Sequence, residues 1–256
     1  MTGHLLLRGL LAGLLAGVLA FGFANVFGEP QVDRAIAFEE GAGHAHSHGD
    51  ATAAPEEQEV FSRDVQAGIG LFTGVMVYSL SMGGLFALVF AYAMGRLGAF
   101  GLGPRGLAAL LAGLALVAVF IVPGLKYPAN PPAVGDPDTI AQRTQLFFLM
   151  VLVSVAAMVI AVNAARVLFV RLGGWNATLL AAVLYGGVVA VAATAFPAIN
   201  EVPEHFSASL LWQFREASLG IQLVLWGVLG LAFGWLAERY LLGSDGQARH
   251  TARLRG

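Results

Sequence analysis

Six long runs of apolar residues decide what this chain can fold into. They cover residues 5–27, 67–94, 107–122, 144–170, 175–196 and 217–236, and no charge lies in the central part of any run. A helix needs about 20 apolar residues to cross a bilayer. Charged residues make up only 12% of the chain, against about 25% in soluble domains. We therefore predict an all-α polytopic membrane protein with about six transmembrane helices and a single integral membrane domain over residues 1–256.

Basic residues are divided unequally between the two ends of these runs. Six crossings place both termini on one side, which carries nine lysines and arginines, while the other side carries five. The positive-inside rule then places the termini in the cytoplasm, with residues 243–256 as a basic cytoplasmic tail. Fourteen of the sixteen acidic residues fall on the opposite, extracytoplasmic side, where they would attract cations.

The first extracytoplasmic loop, residues 28–65, contains a histidine cluster made of His44, His46 and His48. The loop is acidic, and its composition is typical of a flexible segment. In an extended chain alternate side chains point the same way, so three imidazoles can converge, whereas in a helix only His44 and His48 share a face. Imidazole binds cobalt, nickel, copper and zinc. The pattern favours a metal-collecting loop, with a merely soluble linker as the alternative.

A second candidate metal site lies in the loop before the sixth run. Glu201, Glu204 and His205 offer oxygen and imidazole ligands there. The competing interpretation is a loop held by an ion pair between Arg215 and one of these acids. Arg63, Arg143 and Arg215 lie at the beginnings of the even-numbered runs. Their expected role is to fix the loops through ion pairs, and none of them is expected to bind metal.

The first run has two interpretations. Gly9, Gly13 and Gly17 form a stripe at four-residue spacing that lets helices approach closely in lipid. Alternatively, Gly22 and Ala24 are the small residues at positions −3 and −1 of a signal-peptide cleavage site. The other runs suggest an internal repeat, since residues 63–71 align with residues 215–223 and the odd runs end near Pro30, Pro123 and Pro197. This favours three helical hairpins in a bundle.

Several function classes are disfavoured. The chain has no cysteine, so thiolate sites and disulfides are excluded, and it lacks a nucleotide-binding fingerprint. No acid or histidine constellation lies at membrane depth, so we expect neither an enzyme, nor a catalytic cofactor, nor a nucleic-acid partner. Met150, Ser154 and Met158 share one helix face, where packing is the expected role.

The last third of the chain carries a family resemblance. Residues 211–219 (LWQFREASL) and 222–239 (QLVLWGVLGLAFGWLAER) follow Phe196–Pro197, and the Pro131–Pro132 pair and the histidine loop fit the same pattern. The chain resembles the CbtA family of cobalt transporter subunits over nearly its whole length. That family is often described with five spans, one fewer than the six counted above.

The resemblance implies a cytoplasmic (inner) membrane subunit for Co²⁺ uptake, linked to cobalamin biosynthesis. It also implies a partner, a small single-span subunit called CbtB. The transported ion is left open between Co²⁺ and Ni²⁺ or another divalent transition metal, because histidine sites bind Ni²⁺ and Cu²⁺ at least as well. The alternative function is a non-transporting membrane scaffold or metal sensor that recruits a partner.

Overall fold

The computed structural model describes residues 2–46, 62–97 and 100–253, and the side chains of residues 2–41, 62–97 and 100–243. Every regular element in these ranges is helical, which confirms the predicted all-α class. We number the helices α1 (residues 2–46), α2 (63–94), α3 (104–126), α4 (140–172), α5 (174–195) and α6 (Ala208–Arg253). A 3₁₀ turn, Pro137–Thr139, precedes α4.

Five continuous helices in the described ranges are long and apolar enough to cross a membrane. The longest, Ile140–Ala195, is two helices joined at Gly173, whose φ of 73° and ψ of 165° are not helical. The Ser154 and Tyr185 hydroxyls lie 2.8 Å apart, although 31 residues of straight helix would separate them by about 46 Å. The chain therefore reverses at Gly173, and α4 and α5 form an antiparallel hairpin. Division of this helix at Gly173 gives six helices in the described ranges.

Three of the helices contain a π-helical turn, at Ala24–Gly28 in α1, Gln66–Gly70 in α2 and Leu116–Ile121 in α3. One of these turns explains a wrong prediction. Helix α1 does not stop near Pro30, because the wider turn before this proline lets the backbone pass the residue that lacks an N–H. Helix α3 does end near Pro123, at Lys126. Pro197 does follow the end of α5, as predicted.

Helices α1, α2, α3 and α6 form the main bundle. Its centre is filled by large buried side chains, with Phe86 and Phe90 of α2 edge-on against Phe233 of α6 at ring-centroid distances of 5.3 and 4.9 Å. Leu225 and Leu229 complete this core from α6. The outward faces of the same helices are apolar and exposed, as expected for a surface that contacts lipid tails.

The glycine stripe of α1 lies against α2. A Cβ atom at Gly13 would lie 2.5 Å from the Ser79 carbonyl oxygen, and one at Gly9 would overlap the Gly83 carbonyl oxygen. The two backbones are therefore nearly in contact, which confirms the close helix approach predicted from the stripe. Since α1 also contributes Leu5 and three alanines to the main core, its packing favours this interpretation over a cleaved segment.

The α4–α5 hairpin packs against the second half of α3. Met150 of α4 and Ala192 of α5 form a buried cluster there with Val122 and Tyr127. Helix α6 packs instead between α1 and α3. Of the three predicted hairpins, α1 with α2 is therefore present as a tightly packed pair, whereas α5 pairs with α4 and not with α6. Apolar helices in lipid have no polar face to specify their neighbours, which is why the sequence pattern misassigned this pair.

We call the end of the bundle formed by residues 29–41, 62–66, 127–139 and 196–215 the loop face, and the opposite end the terminal face. Helix α1 extends past its predicted end and reaches His46, so Glu29–His46, expected to be flexible loop, is helical. At the terminal face, Arg8, Arg96 and Arg239 lie over the rings of Tyr240, Tyr92 and Trp235, at 4.0 to 4.2 Å. Such aromatic and basic residues are typical of a membrane interface.

Candidate functional site

Three arginines hold the loop face together. Arg63, Arg143 and Arg215 each lie near the loop-face start of an even-numbered helix, and each reaches to an odd-numbered helix or to a loop. The predicted ion pairs are confirmed for Arg63 and Arg143, whereas Arg215 binds neutral oxygens.

Arg63 fixes the extension of α1. Its guanidinium pairs with Glu29 and, at 2.8 Å, with Asp33, one turn further along α1. Ala35 and Phe38 of the same extension then pack on the start of α6, where the rings of Phe38 and Phe206 meet edge to face at 5.0 Å. The base of the extension is therefore attached to the bundle by both charge and apolar contact.

Arg143 joins the two loops that follow α3 and α5. Its Nε lies 3.3 Å from Glu201 Oε2, and its Nη2 donates to the Asp136 carbonyl at 3.2 Å. The Asp136 backbone N–H donates to the same Glu201 carboxylate at 2.8 Å. This N–H, then the Thr139 hydroxyl and the Arg143 charge, hold the pKa of Glu201 below its ordinary value of 4.5, against the opposite effect of partial burial.

Arg215 binds the loop after α3 without any acid. Its Nε donates to the Ala129 carbonyl at 3.2 Å and its Nη2 to the Asn130 side-chain oxygen at 3.0 Å. The predicted alternative, an ion pair of Arg215 with an acid of the third loop, is wrong, because Arg143 occupies that acid. Nearby, burial raises the pKa of Tyr127, and its hydroxyl donates to the Pro197 carbonyl at 2.9 Å.

A groove of about 980 Å³ opens between α3, α4 and α6 at the loop face. Its walls are apolar, while its polar end contains both Arg143 and Arg215. The residues that line it are Phe120, Ile121, Gly124, Leu125, Tyr127, Pro128, Ala129, Asn130, Val134, Ile140, Arg143, Thr144, Phe147, Ile199, Asn200, Glu201, Val202, Trp212, Arg215, Glu216, Ser218 and Leu219.

The three residues of the second predicted metal site lie in different surroundings. Glu201 lines the groove and is engaged with Arg143, whereas Glu204 and His205 are exposed on the outer side of the loop. Within the ranges that the structure describes, no three His, Asp or Glu side chains come together as metal ligands. Metal binding at Glu201, Glu204 and His205 remains a prediction.

The histidine cluster lies at the edge of the described chain. His44 and His46 belong to the last helical turn of α1, and His48 lies outside the described residues. Positions two apart in a helix lie on different sides, so the extended backbone expected for the cluster does not occur at positions 44 and 46. Its metal binding also stays a prediction.

Some polar groups at membrane depth are paired, whereas the buried Ser79 hydroxyl of α2 has no hydrogen-bond partner among the described residues. Met150 and Ser154 are buried in the hairpin core, as packing predicted, and Ser154 bonds to Tyr185. Sequence reasoning missed Gln222 of α6, which accepts a hydrogen bond from Trp226 at 3.1 Å and bonds to Tyr78 of α2. The available signal was a single amide within an otherwise apolar run.

A comparison with protein-family models places these features in a known family. The model described as "Probable cobalt transporter subunit (CbtA)" matches residues 2–238, nearly the entire chain. This chain belongs to the CbtA family. The resemblance noted in its last third therefore holds for all six helices. No curated protein matches the chain, and no solved structure matches it. The CbtA description identifies a subunit, which implies that this membrane protein works with a partner.

Proposed function

We propose that this CbtA-family chain is a subunit of a Co²⁺ uptake transporter in the cytoplasmic (inner) membrane, with His44, His46 and His48 collecting the ion. The observation that carries the proposal is the family match over residues 2–238. Two of the histidines stand on a helix that rises from the loop face, where the acids gather cations. The match supports cobalt as the cargo, and we infer that the direction is uptake and not export.

The geometry of the α1 extension supports a transfer route. Phe38 contacts Phe206, which directly follows His205, and His44 lies six residues beyond Phe38, about 9 Å along the helix axis. An ion released from the histidine cluster would therefore first reach the exposed Glu204 and His205. Glu201 would join them as a ligand only after leaving Arg143.

The membrane potential can drive such uptake. Moving a charge inward across 100 mV is worth about 2.3 kcal/mol, hence about 4.6 kcal/mol for a divalent ion. We place the termini in the cytoplasm on the strength of the arginine distribution. We assign the partner role to a small single-span subunit of the CbtB type. The imported Co²⁺ would serve cobalamin biosynthesis.

The test is uptake of radioactive cobalt by cells that carry the transporter and its partner. Replacing His44, His46 and His48 together with alanine should lower uptake at limiting cobalt and leave the saturated rate nearly unchanged, because a collector raises local concentration. The matched control replaces His4 and His250, the isolated histidines near the termini. Uptake that is unchanged at limiting cobalt would remove the histidine cluster from the mechanism.

A non-transporting scaffold or metal sensor is the second candidate function. Its supporting observation is the filled centre of the main bundle, where Phe90, Leu229 and Phe233 have no measurable exposure. Purified protein in vesicles that contain a metal-sensitive dye separates the two functions. Cobalt entry without a partner would exclude the scaffold, whereas entry that is absent even with the partner would support it.

A further inference from the structure

The groove at the loop face contains a charge without a counterion. Arg215 is half-buried, and its two hydrogen bonds go to neutral oxygens of Ala129 and Asn130. Across the described side chains, the ion pairs of the loop face involve Arg63 and Arg143, and no carboxylate lies within ion-pairing distance of Arg215. A partly buried guanidinium costs free energy unless an anion compensates it.

Arg143 adds unused donor capacity to the same end of the groove. Its Nε is buried, and although it lies 3.3 Å from Glu201 it makes no hydrogen bond. A guanidinium has five N–H donors arranged as a planar fork that suits a phosphate or carboxylate. Arg143 and Arg215 therefore border one polar pocket, which Glu201 and Glu216 also line. Glu201 balances the charge of Arg143, whereas no ion pair balances that of Arg215.

The remainder of the groove is apolar and opens toward the bilayer. Phe120 of α3, Phe147 of α4 and Leu219 of α6 form its walls. Trp212 and Leu125 stand at its rim with 63% and 80% of their surfaces exposed, and tryptophan is enriched at the level of lipid headgroups. The volume of about 980 Å³ lies at the upper end of the ~300–1,000 Å³ range of ligand sites.

From the uncompensated Arg215 and these apolar walls, we propose that the groove binds an anionic phospholipid of the surrounding membrane. The headgroup phosphate lies against Arg215 and Arg143, and an acyl chain follows the walls between α3, α4 and α6. The bound lipid joins the α4–α5 hairpin to the main bundle, since these two parts otherwise meet mainly along α3. This inference is independent of cobalt transport.

The experiment measures lipid binding by the full chain in detergent, with phosphatidylglycerol and phosphatidylcholine of identical acyl chains as probes. Native mass spectrometry should show phosphatidylglycerol retained in preference to phosphatidylcholine, and phosphatidylglycerol should raise the Tm more. R215Q should bind phosphatidylglycerol roughly tenfold more weakly, as expected for loss of a charge-assisted contact. R34Q, which removes an exposed loop-face arginine outside the groove, should bind like the wild type.

A second variant keeps the proposal testable if R215Q folds poorly. Gly124 lines the groove, and a Cβ built on it meets no atom within 4 Å, so G124L fills the groove without a backbone clash. It should also lose the preference for phosphatidylglycerol. Equal binding of the two lipids, or wild-type binding by G124L, would overturn the proposal. So would an equal Tm gain from glycerol 3-phosphate alone, which would identify a free phosphate and not a lipid as the ligand.

Discussion

Arg143 and Arg215 lie near the starts of two helices at the same end of the molecule, yet only Arg143 meets a carboxylate. The Arg143 guanidinium and the Asp136 N–H converge on Glu201, which is only 18% exposed. Glu201 therefore joins the loops after α3 and α5 as a structural anion. Sequence spacing could not choose between the two arginines, because the choice depends on how the α4–α5 hairpin is placed beside α3.

We expect the loss of Glu201 to show in the pH dependence of stability. The folded-state pKa of Glu201 is below 4.5, so its stabilising contribution is present above pH 4.5 and disappears as the pH falls through the lowered value. E201Q should therefore have a lower Tm than the wild type at pH 7, and the difference should shrink below about pH 4.5. Thermal unfolding in detergent between pH 7 and pH 3 provides the measurement.

The control for this experiment is E204Q, which changes an exposed acid of the same loop and should follow the wild-type curve. A constant Tm difference between E201Q and the wild type down to pH 3 would contradict the assignment of Glu201 as an ionised, loop-joining residue.

At the scale of elements, the sequence was most informative about α1 and α2. The stripe of small residues correctly indicated their contact, and the run boundaries correctly indicated a turn near Gly173. The sequence pattern did not predict the π turns, because a π turn differs from an α turn by one hydrogen-bond register and leaves the apolar pattern intact. This is why Pro30 was taken for a helix end and why the α1 extension was mistaken for loop.

Two neighbouring glycines of α2 allow a matched test of the α1–α2 contact. A Cβ at Gly83 would overlap the Gly9 carbonyl oxygen, while one at Gly84 would only touch two leucine side-chain ends at 3.7 Å. We expect G83A to cost roughly 1–3 kcal/mol, as overpacking does, and G84A to be close to neutral. The Tm values of the two purified variants give the comparison, and equal values would contradict the described approach of α1 to α2.

For the molecule as a whole, composition sufficed to predict the all-α membrane class, because about 20 apolar residues per run leave few alternatives. It did not suffice for the arrangement of the helices. Apolar residues occur on all sides of α4 and α5, so apart from Ser154 and Tyr185 their pattern hardly distinguishes a lipid-facing side from a packed one. The candidate site depends on that arrangement, which explains why the groove between α3, α4 and α6 was not anticipated.

Orientation can be tested directly because the chain lacks cysteine. D138C places a single thiol at an exposed loop-face position, and G103C places one at an exposed terminal-face position. In right-side-out membrane vesicles, a membrane-impermeant maleimide should label D138C immediately and G103C only after permeabilisation. The reverse pattern would invert the topology, and with it the assignment of the histidine cluster as an external collector.

The three π turns should also be recognisable in an alignment of homologous sequences. A π turn spans one residue more than an α turn between its hydrogen-bonded groups, so it is equivalent to a single-residue insertion that the helix absorbs without breaking. A homologue whose helices are α-helical throughout would therefore align with a one-residue gap within residues 24–28, 66–70 or 116–121, and the flanking sequence would stay in register. Gaps at these three places would record helix geometry, whereas a loop would tolerate gaps of any length.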